Sequence, residues 1–345
     1  MGKQERRKKF KDTIEGLEVM DLPPVSHYLS TGCTILDLAV ADKFPGGFAG
    51  GRVTHIFGPE STAKTVLAQE PLGAAQRASG IAHFVDVEYT LDHDRASLFG
   101  LKCEGDSWEE SHPKSVEELF DIVIAGFLSG RRPDNPPAAI SIDSLSALPS
   151  EKELEENLTD GGYGTTRARQ LSTAFRKYIR RLATSNVATI WIDQTREDIS
   201  KPYYALTVSG GKALSFYAST RVEVSHKGKI TNVHDKVIGV RIGFKVTKNK
   251  IGPPFREGEF RLLFDYGIDD VGTNLEWLKE NTNESKSHWF SVPDSHSEGG
   301  IKNLPGLSKA IEFVEENSLE AEVQDAVWEA WKKVHAQPER KPKSR

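Results

Sequence analysis

The octapeptide Gly58-Pro59-Glu60-Ser61-Thr62-Ala63-Lys64-Thr65 carries the residue types that hold a polyphosphate. In such a loop, backbone N–H groups wrap phosphate oxygens, a lysine at Lys64 neutralises β/γ charge, and a hydroxyl at Thr65 ligates Mg²⁺. The match has one departure. Ala63 stands where the pattern has glycine, which tolerates backbone angles that a Cβ resists. On these eight residues alone, a chance match competes with the functional reading. The neighbouring acids weigh against chance. Asp143 closes an apolar run, as an acid that organises Mg²⁺ should, and Asp86 and Glu88 close another. Alternation along a strand would put Asp86 and Glu88 on one face. Ligands of parallel sheets gather at the carboxyl ends of strands, so the loop and these acids are expected at one edge. Any one of them could be a surface acid; their joint placement is what chance does not explain. Glu88 is the candidate for activating an attacking water, by general-base action or by positioning it.

The elements that must position these groups follow from pattern. Residues 52–57 read as a strand before the loop, with glycines crowding just ahead of it at 46, 47, 50 and 51. Residues 81–87, 138–143 and 187–193 read as further strands, and 115–129 and 165–185 as helices. Pro71 lies inside the helix after the loop and is expected to kink it or shorten it to about two turns. Strands at 219–225 and 237–247 follow without an intervening helix. The alternation implies an α/β fold with a mostly parallel sheet and antiparallel strands added late. Leu319, Val323, Val327 and Trp331 recur every fourth residue, an amphipathic helix. The expected organisation is a basic helical arm over 1–24, a large core over 25–264, a small α+β domain over 265–335 and a basic tail over 336–345.

A chain of 345 residues with 37% hydrophobic content can bury a substantial core. No apolar run approaches the roughly 20 residues of a membrane span, and no apolar segment follows the basic N-terminus, which argues against a secretory signal. Cys33 and Cys103 are the two cysteines, too few for a disulfide framework or a structural zinc site, so a reducing cytoplasm is expected. The net charge of −5 is segregated. Residues 104–118 hold six acids and one base, whereas 161–192 hold Arg167, Arg169, Arg176, Lys177, Arg180 and Arg181 and no acid. Such a stripe is a footprint for a polyanion; a solvated helix face is the competing reading.

Six motifs then resemble the RecA family of bacterial recombinases. They are Gly-Pro-Glu-Ser-x-x-Lys-Thr at 58–65, Asp-Val-Glu-Tyr-Thr-Leu-Asp at 86–92 and Ile-Asp-Ser-Leu-Ser-Ala-Leu at 142–148. Asp-Gln-Thr-Arg at 193–196, Gly-Gly-Lys-Ala-Leu-Ser-Phe-Tyr-Ala-Ser at 210–219 and Lys-Asn-Lys-Ile-Gly-Pro-Pro-Phe at 248–255 complete the set, in family order. The resemblance covers about residues 25–300. It implies a RecA-type phosphate-loop ATPase core with an N-terminal polymerisation arm and a small C-terminal domain. It also implies ATP and Mg²⁺ as ligands, single- and double-stranded DNA as partners, and self-association into a helical filament.

The resemblance assigns roles residue by residue. Residues 58–65 would bind the triphosphate, Thr65 and Asp143 would hold Mg²⁺, and Asp92 and Arg95 would lie beside the base. Arg95 replaces a family tyrosine, so stacking becomes a cation–π or polar contact. Glu88 would be the catalytic carboxylate and Gln194 a γ-phosphate sensor. Lys248 and Lys250 would reach a neighbouring protomer's nucleotide, as an arginine finger does; without the resemblance they read as a basic strand end. The first DNA loop would span about 157–165, with Gly161, Gly162 and Gly164, followed by Arg169, Arg176 and Lys177. The second would span about 195–209, with Arg196, Lys201, Tyr203 and Tyr204, and Gly210 and Gly211 after it. Phosphate contacts with aromatic platforms bind single strands without reading sequence. The second loop is one residue shorter than in bacterial members and carries Glu197-Asp198. The basic C-terminal tail replaces a family acidic tail. Ala63 and Pro71 mark a divergent member, and phage recombinases also vary the Ala63 position. A filament paralogue with impaired hydrolysis and a RecA-fold ring helicase are the rival readings.

Overall fold

The structure is a computed structural model and describes residues 24–155, 163–197, 206–208, 211–282 and 288–336. A short antiparallel ribbon, β1 (Tyr28–Leu29) with β2 (Phe48–Ala49), precedes the main sheet. That sheet is built from β3 (Val53–Gly58), β4 (Ile81–Asp86), β5 (Trp108–Ser111), β6 (Ala138–Asp143) and β7 (Val187–Glu197). To these it adds β8 (Leu206–Val208), β9 (Thr220–Thr231), β10 (Val237–Asn249), β11 (Glu257–Leu263) and β12 (Gly267–Asp269). The order is β12-β11-β10-β9-β3-β7-β6-β4-β5, with β8 paired to the end of β7. Strands from β9 to β5 are mutually parallel, and β10, β11 and β12 extend the sheet antiparallel.

The central strands β3 and β6 are buried along their whole length, which is why they read as near-continuous apolar runs. Alternation sorts their side chains to two cores. Ile140, Ile142, Val187 and Trp191 face the core closed by helix Tyr163–Ala183, through Leu171 and Phe175. Ala139, Ala188, Ile190 and Ile192 face the core closed by helices Thr34–Ala41 and Lys64–Arg77. On that second face the Ser141 hydroxyl donates to Ala68 O at 2.7 Å, fastening the post-loop helix to β6. The next residue outward on the same face of β6 is Asp143, and on β7 it is Gln194. The sheet therefore delivers both to the phosphate loop.

Pro71 does not shorten its helix. Helix Lys64–Arg77 runs 14 residues through it. Leu67, Ala68, Pro71, Leu72 and Ala75 are all buried there, and this contact outweighs the one hydrogen bond that proline forgoes. The helix expected over 115–129 forms over Val116–Glu118, Leu119–Ile124 and Ala125–Phe127, with a π-turn in the middle segment.

Beyond the sheet, β13 (Trp289–Pro293) and β14 (Ile301–Pro305) form an antiparallel hairpin against helices Asp270–Asn281, Leu307–Glu316 and Glu320–Val334. Val323, Val327 and Trp331 join the apolar cluster that also holds Ile35, Phe244 and Phe260. Asp270 ties the parts together, accepting from Thr34 N and Oγ1, each at 2.7 Å, and from Asn274 and Gln324, each at 3.0 Å. Arg241 grips Glu276 with two hydrogen bonds, at 2.7 and 2.6 Å. Among the described residues no helix is long and apolar enough to cross a membrane.

Candidate functional site

The loop between β3 and helix Lys64–Arg77 opens on a cleft of about 730 Å³. Glu60, Ser61, Thr62, Ala63, Lys64, Thr65, Glu88, Asp92, Arg95, Asp143 and Gln194 all line it. Gly58 sits below the loop, where a Cβ would meet Val224 O at 2.2 Å; close strand approach, not conformational freedom, requires glycine there. Ala63 adopts φ 63° and ψ 18°, the left-handed region, so its methyl group stands where glycine carries no penalty. Thr62 Oγ1 and Lys64 Nζ both donate to Pro59 O, at 2.7 and 2.6 Å, and so close the loop upon itself.

Lys64 is buried, and desolvation lowers its pKa while Asp143, Glu88 and Glu60 oppose the shift. Thr65 Oγ1 donates to Asp143 Oδ2 at 2.6 Å. Burial pushes the Asp143 carboxyl up to about 6; the Thr65 hydroxyl opposes this, and Glu88 and Asp86 add to it. A hydroxyl and a buried carboxylate beside a lysine form the donor set that a phosphate-bound Mg²⁺ uses. Glu88 accepts a short hydrogen bond from the Ser144 hydroxyl. Asp92 lines the cleft but also caps helix His93–Leu98, accepting from Arg95 N at 3.0 Å. The Arg95 guanidinium lies 5.8 Å from the Phe99 ring centroid.

Asp86 lies at the same sheet edge, in register with Asp143, and its charge helps raise the Asp143 carboxyl, but it stands outside the cleft lining. β4 ends at Asp86, and Tyr89 takes φ 56°, so strand alternation stops before Glu88. Glu88 turns into the cleft, whereas Asp86 is not part of its lining and accepts from Leu91 N at 2.9 Å. Sequence reading missed the further lining of the cleft: Phe99, His226, Val240, Leu262 and Phe264. Behind Gln194, Arg221 Nε donates to His55 Nδ1 at 3.2 Å, which leaves the His55 proton on Nε2, 3.2 Å from Asp193.

Lys248 and Lys250 lie outside this cleft. Lys248 Nζ donates to Ser215 O and Phe216 O at 2.9 and 2.8 Å, at the end of helix Gly211–Tyr217, and Lys250 is exposed. On helix Tyr163–Ala183, Arg169 and Arg176 are exposed, and exposed Lys177 pairs with Asp121 at 2.6 Å. Gly164 lies in the first turn of that helix, Arg196 near the end of β7 and Gly211 at a helix start. Gly161, Gly162, Lys201, Tyr203, Tyr204 and Gly210 lie outside the described residues, as do residues 1–23 of the N-terminal arm and 337–345 of the basic tail.

A parallel sheet whose central strand feeds a phosphate-type loop and helix places the chain among phosphate-loop α/β folds. The RecA N-terminal domain family matches residues 7–269, and the chain belongs to the RecA family. It is similar to Protein RecA of Thermus thermophilus, at 36% identity over 291 residues, 84% of this chain and 82% of the relative. Protein RecA of Chlamydia abortus is 36% identical over 304 residues, 86% of this chain and 84% of the relative. Protein RecA of Chlamydia trachomatis is 37% identical over 268 residues, 77% and 73% of the two chains.

Proposed function

We propose that this chain is an ATP-dependent recombinase that polymerises on single-stranded DNA and pairs it with a homologous duplex. The observation that carries the proposal is the meeting of Lys64, Thr65, Glu88, Asp143 and Gln194 in one cleft. Its 730 Å³ lies within the roughly 300–1,000 Å³ of small-molecule sites, enough for a nucleoside triphosphate.

Lys64 would exchange Pro59 O for the β/γ-phosphates, and the loop N–H groups would hold their oxygens. Thr65 and Asp143 would hold Mg²⁺, which neutralises charge developing on the transferred phosphoryl group. Glu88, anchored by Ser144, would position the attacking water and accept its proton. Gln194 would contact the γ-phosphate three residues before the end of β7. Arg169 and Arg176, on the exposed face of their helix, would contact DNA phosphates without reading bases. Lys248 and Lys250 would serve a neighbour's nucleotide within a filament. The arm, core, C-terminal unit and tail would be the working parts of that filament.

The test combines ATP turnover with electron microscopy. Single-stranded DNA is expected to raise turnover strongly over a Lys64→Ala control and to yield helical filaments with a slowly hydrolysed analogue. Saturating DNA that gives neither result refutes the proposal. The left-handed Ala63 favours a second reading, a DNA-binding filament protein with impaired hydrolysis. A large gain in turnover on Ala63→Gly would support it, and little change would favour an adapted loop.

A further inference from the structure

A second cluster lies at the ends of β4 and β5, outside the lining of the nucleotide cleft. A carboxylate oxygen of Asp86, a carboxylate oxygen of Glu110 and a ring nitrogen of His112 lie within 4.8 Å of one another. The parallel register explains the meeting. It pairs Phe84 with Glu110 and Val85 with Ser111, so His112 follows level with Asp86.

The His112 ring is held from two sides. Tyr89 stacks on it, centroid to centroid 4.9 Å at 10°. Its Nδ1 lies 2.8 Å from the Asp86 carbonyl oxygen, which can only accept, so Nδ1 carries the proton. A neutral ring then presents the Nε2 lone pair, 3.3 Å from Glu110 Oε1. His93 Nε2 holds the other Glu110 oxygen at 2.8 Å. Asp86 is 2% exposed; its Oδ2 accepts from Leu91 N, but Oδ1 is buried without a hydrogen-bond partner. A protonated His112 would satisfy Glu110 and still leave Asp86 Oδ1 orphaned. A buried carboxylate oxygen among other acceptors calls for a cation.

We propose that Asp86, Glu110 and His112 bind a first-row divalent transition ion of the Mn²⁺ or Zn²⁺ type, with His93 orienting Glu110. Metal-ligating histidines usually give their other N–H to a carbonyl or carboxylate, the arrangement of His112. One imidazole with two carboxylates suits such an ion better than Mg²⁺, which prefers oxygen ligands and keeps its waters. A modest rotation of the Glu110 side chain would bring its oxygen to the ~2.0–2.2 Å of a metal bond. The ion would fasten β4 to β5 at the root of the turn that carries Glu88. The proposal needs neither nucleotide nor DNA, so its failure and that of the recombinase reading are separable.

The test uses the full chain, stripped of metal and titrated with Co²⁺ in excess Mg²⁺ without nucleotide. One Co²⁺ per chain is expected, with a visible ligand-field spectrum and displacement by Zn²⁺. His112→Gln and Glu110→Gln should each weaken Co²⁺ binding at least tenfold, and His93→Gln by about 10-fold, as for orienting partners of metal ligands. Wild-type protein that binds Co²⁺ no better than His112→Gln overturns the proposal. Should a variant misfold, anomalous diffraction from Co²⁺-grown wild-type crystals decides. An ion between these side chains supports the site; an ion elsewhere or none overturns it.

Discussion

At the scale of single residues, Ala63 and Asp143 line the cleft, one with a left-handed backbone and the other with a raised carboxyl. The Ala63 methyl group at φ 63° costs about 1–2 kcal/mol. Glycine removes that strain but adds about 0.5–1 kcal/mol of unfolded-chain freedom. Ala63→Gly is therefore expected to stabilise the protein by up to about 1.5 kcal/mol, read from the urea midpoint; a loss of stability would show that the loop is unstrained. Asp143 predicts a pH effect. Its carboxyl is raised to about 6, so below that pH a divalent cation must displace a proton. The Mg²⁺ concentration for half-maximal nucleotide binding should rise about tenfold per pH unit below 6 and stay flat above it. Asp143→Asn should remove the dependence. The placement of these residues in the cleft was legible in sequence because each belongs to a motif of a few consecutive residues. The shared face expected for Asp86 and Glu88 does not form, because alternation was carried two residues past the end of β4, into bends that begin at Val87.

At the scale of elements, helix Lys64–Arg77 shows burial overriding local propensity. Pro71 pointed to a short helix, yet the apolar surface between this helix and β6 holds it at 14 residues. Propensity is local, whereas burial depends on partners more than 60 residues away in sequence, such as Ser141 on Ala68. The helix also carries Glu70, whose carboxyl burial raises from 4.5 to about 7, with Asp37 and Asp270 adding to the shift and Arg77 opposing it. A raised carboxyl favours the folded state while protonated. That contribution is complete below about pH 4.5 and is lost as pH rises through about 7. Glu70→Gln should leave stability near pH 4.5 almost unchanged and raise it at pH 8, measured by thermal melting at both values. Equal changes at both would show that Glu70 is not proton-linked. Asp37, raised to about 7 by the same burial, remains as a background slope in the variant.

Over the whole molecule, long-range pairing made the parts that sequence reading could not supply. Val240, Leu262 and Phe264 reach the cleft because β10 and β11 pair antiparallel far from the loop in sequence; period-two patterning tells faces, not which ligand a face meets. Asp270 shows the same dependence, since its donors come from helices starting at Thr34, Asp270 and Glu320. Asp270→Ala would strand the Thr34 amide and hydroxyl and is expected to cost about 3 kcal/mol or more, measured by urea unfolding. A loss under about 1 kcal/mol would mean that water replaces the carboxylate. The position of Lys248 has a different kind of consequence. Its ammonium is engaged with Ser215 O and Phe216 O of its own chain. Serving a neighbour would require it to release those carbonyls, leaving a helix end without its cation. If Lys248 serves a neighbour as proposed, an isolated protomer keeps that charge sheathed, and full turnover would belong to the assembled array. Idle molecules would hold nucleotide without wasting it, and the same two carbonyls that retain the lysine would act as the latch that assembly must open.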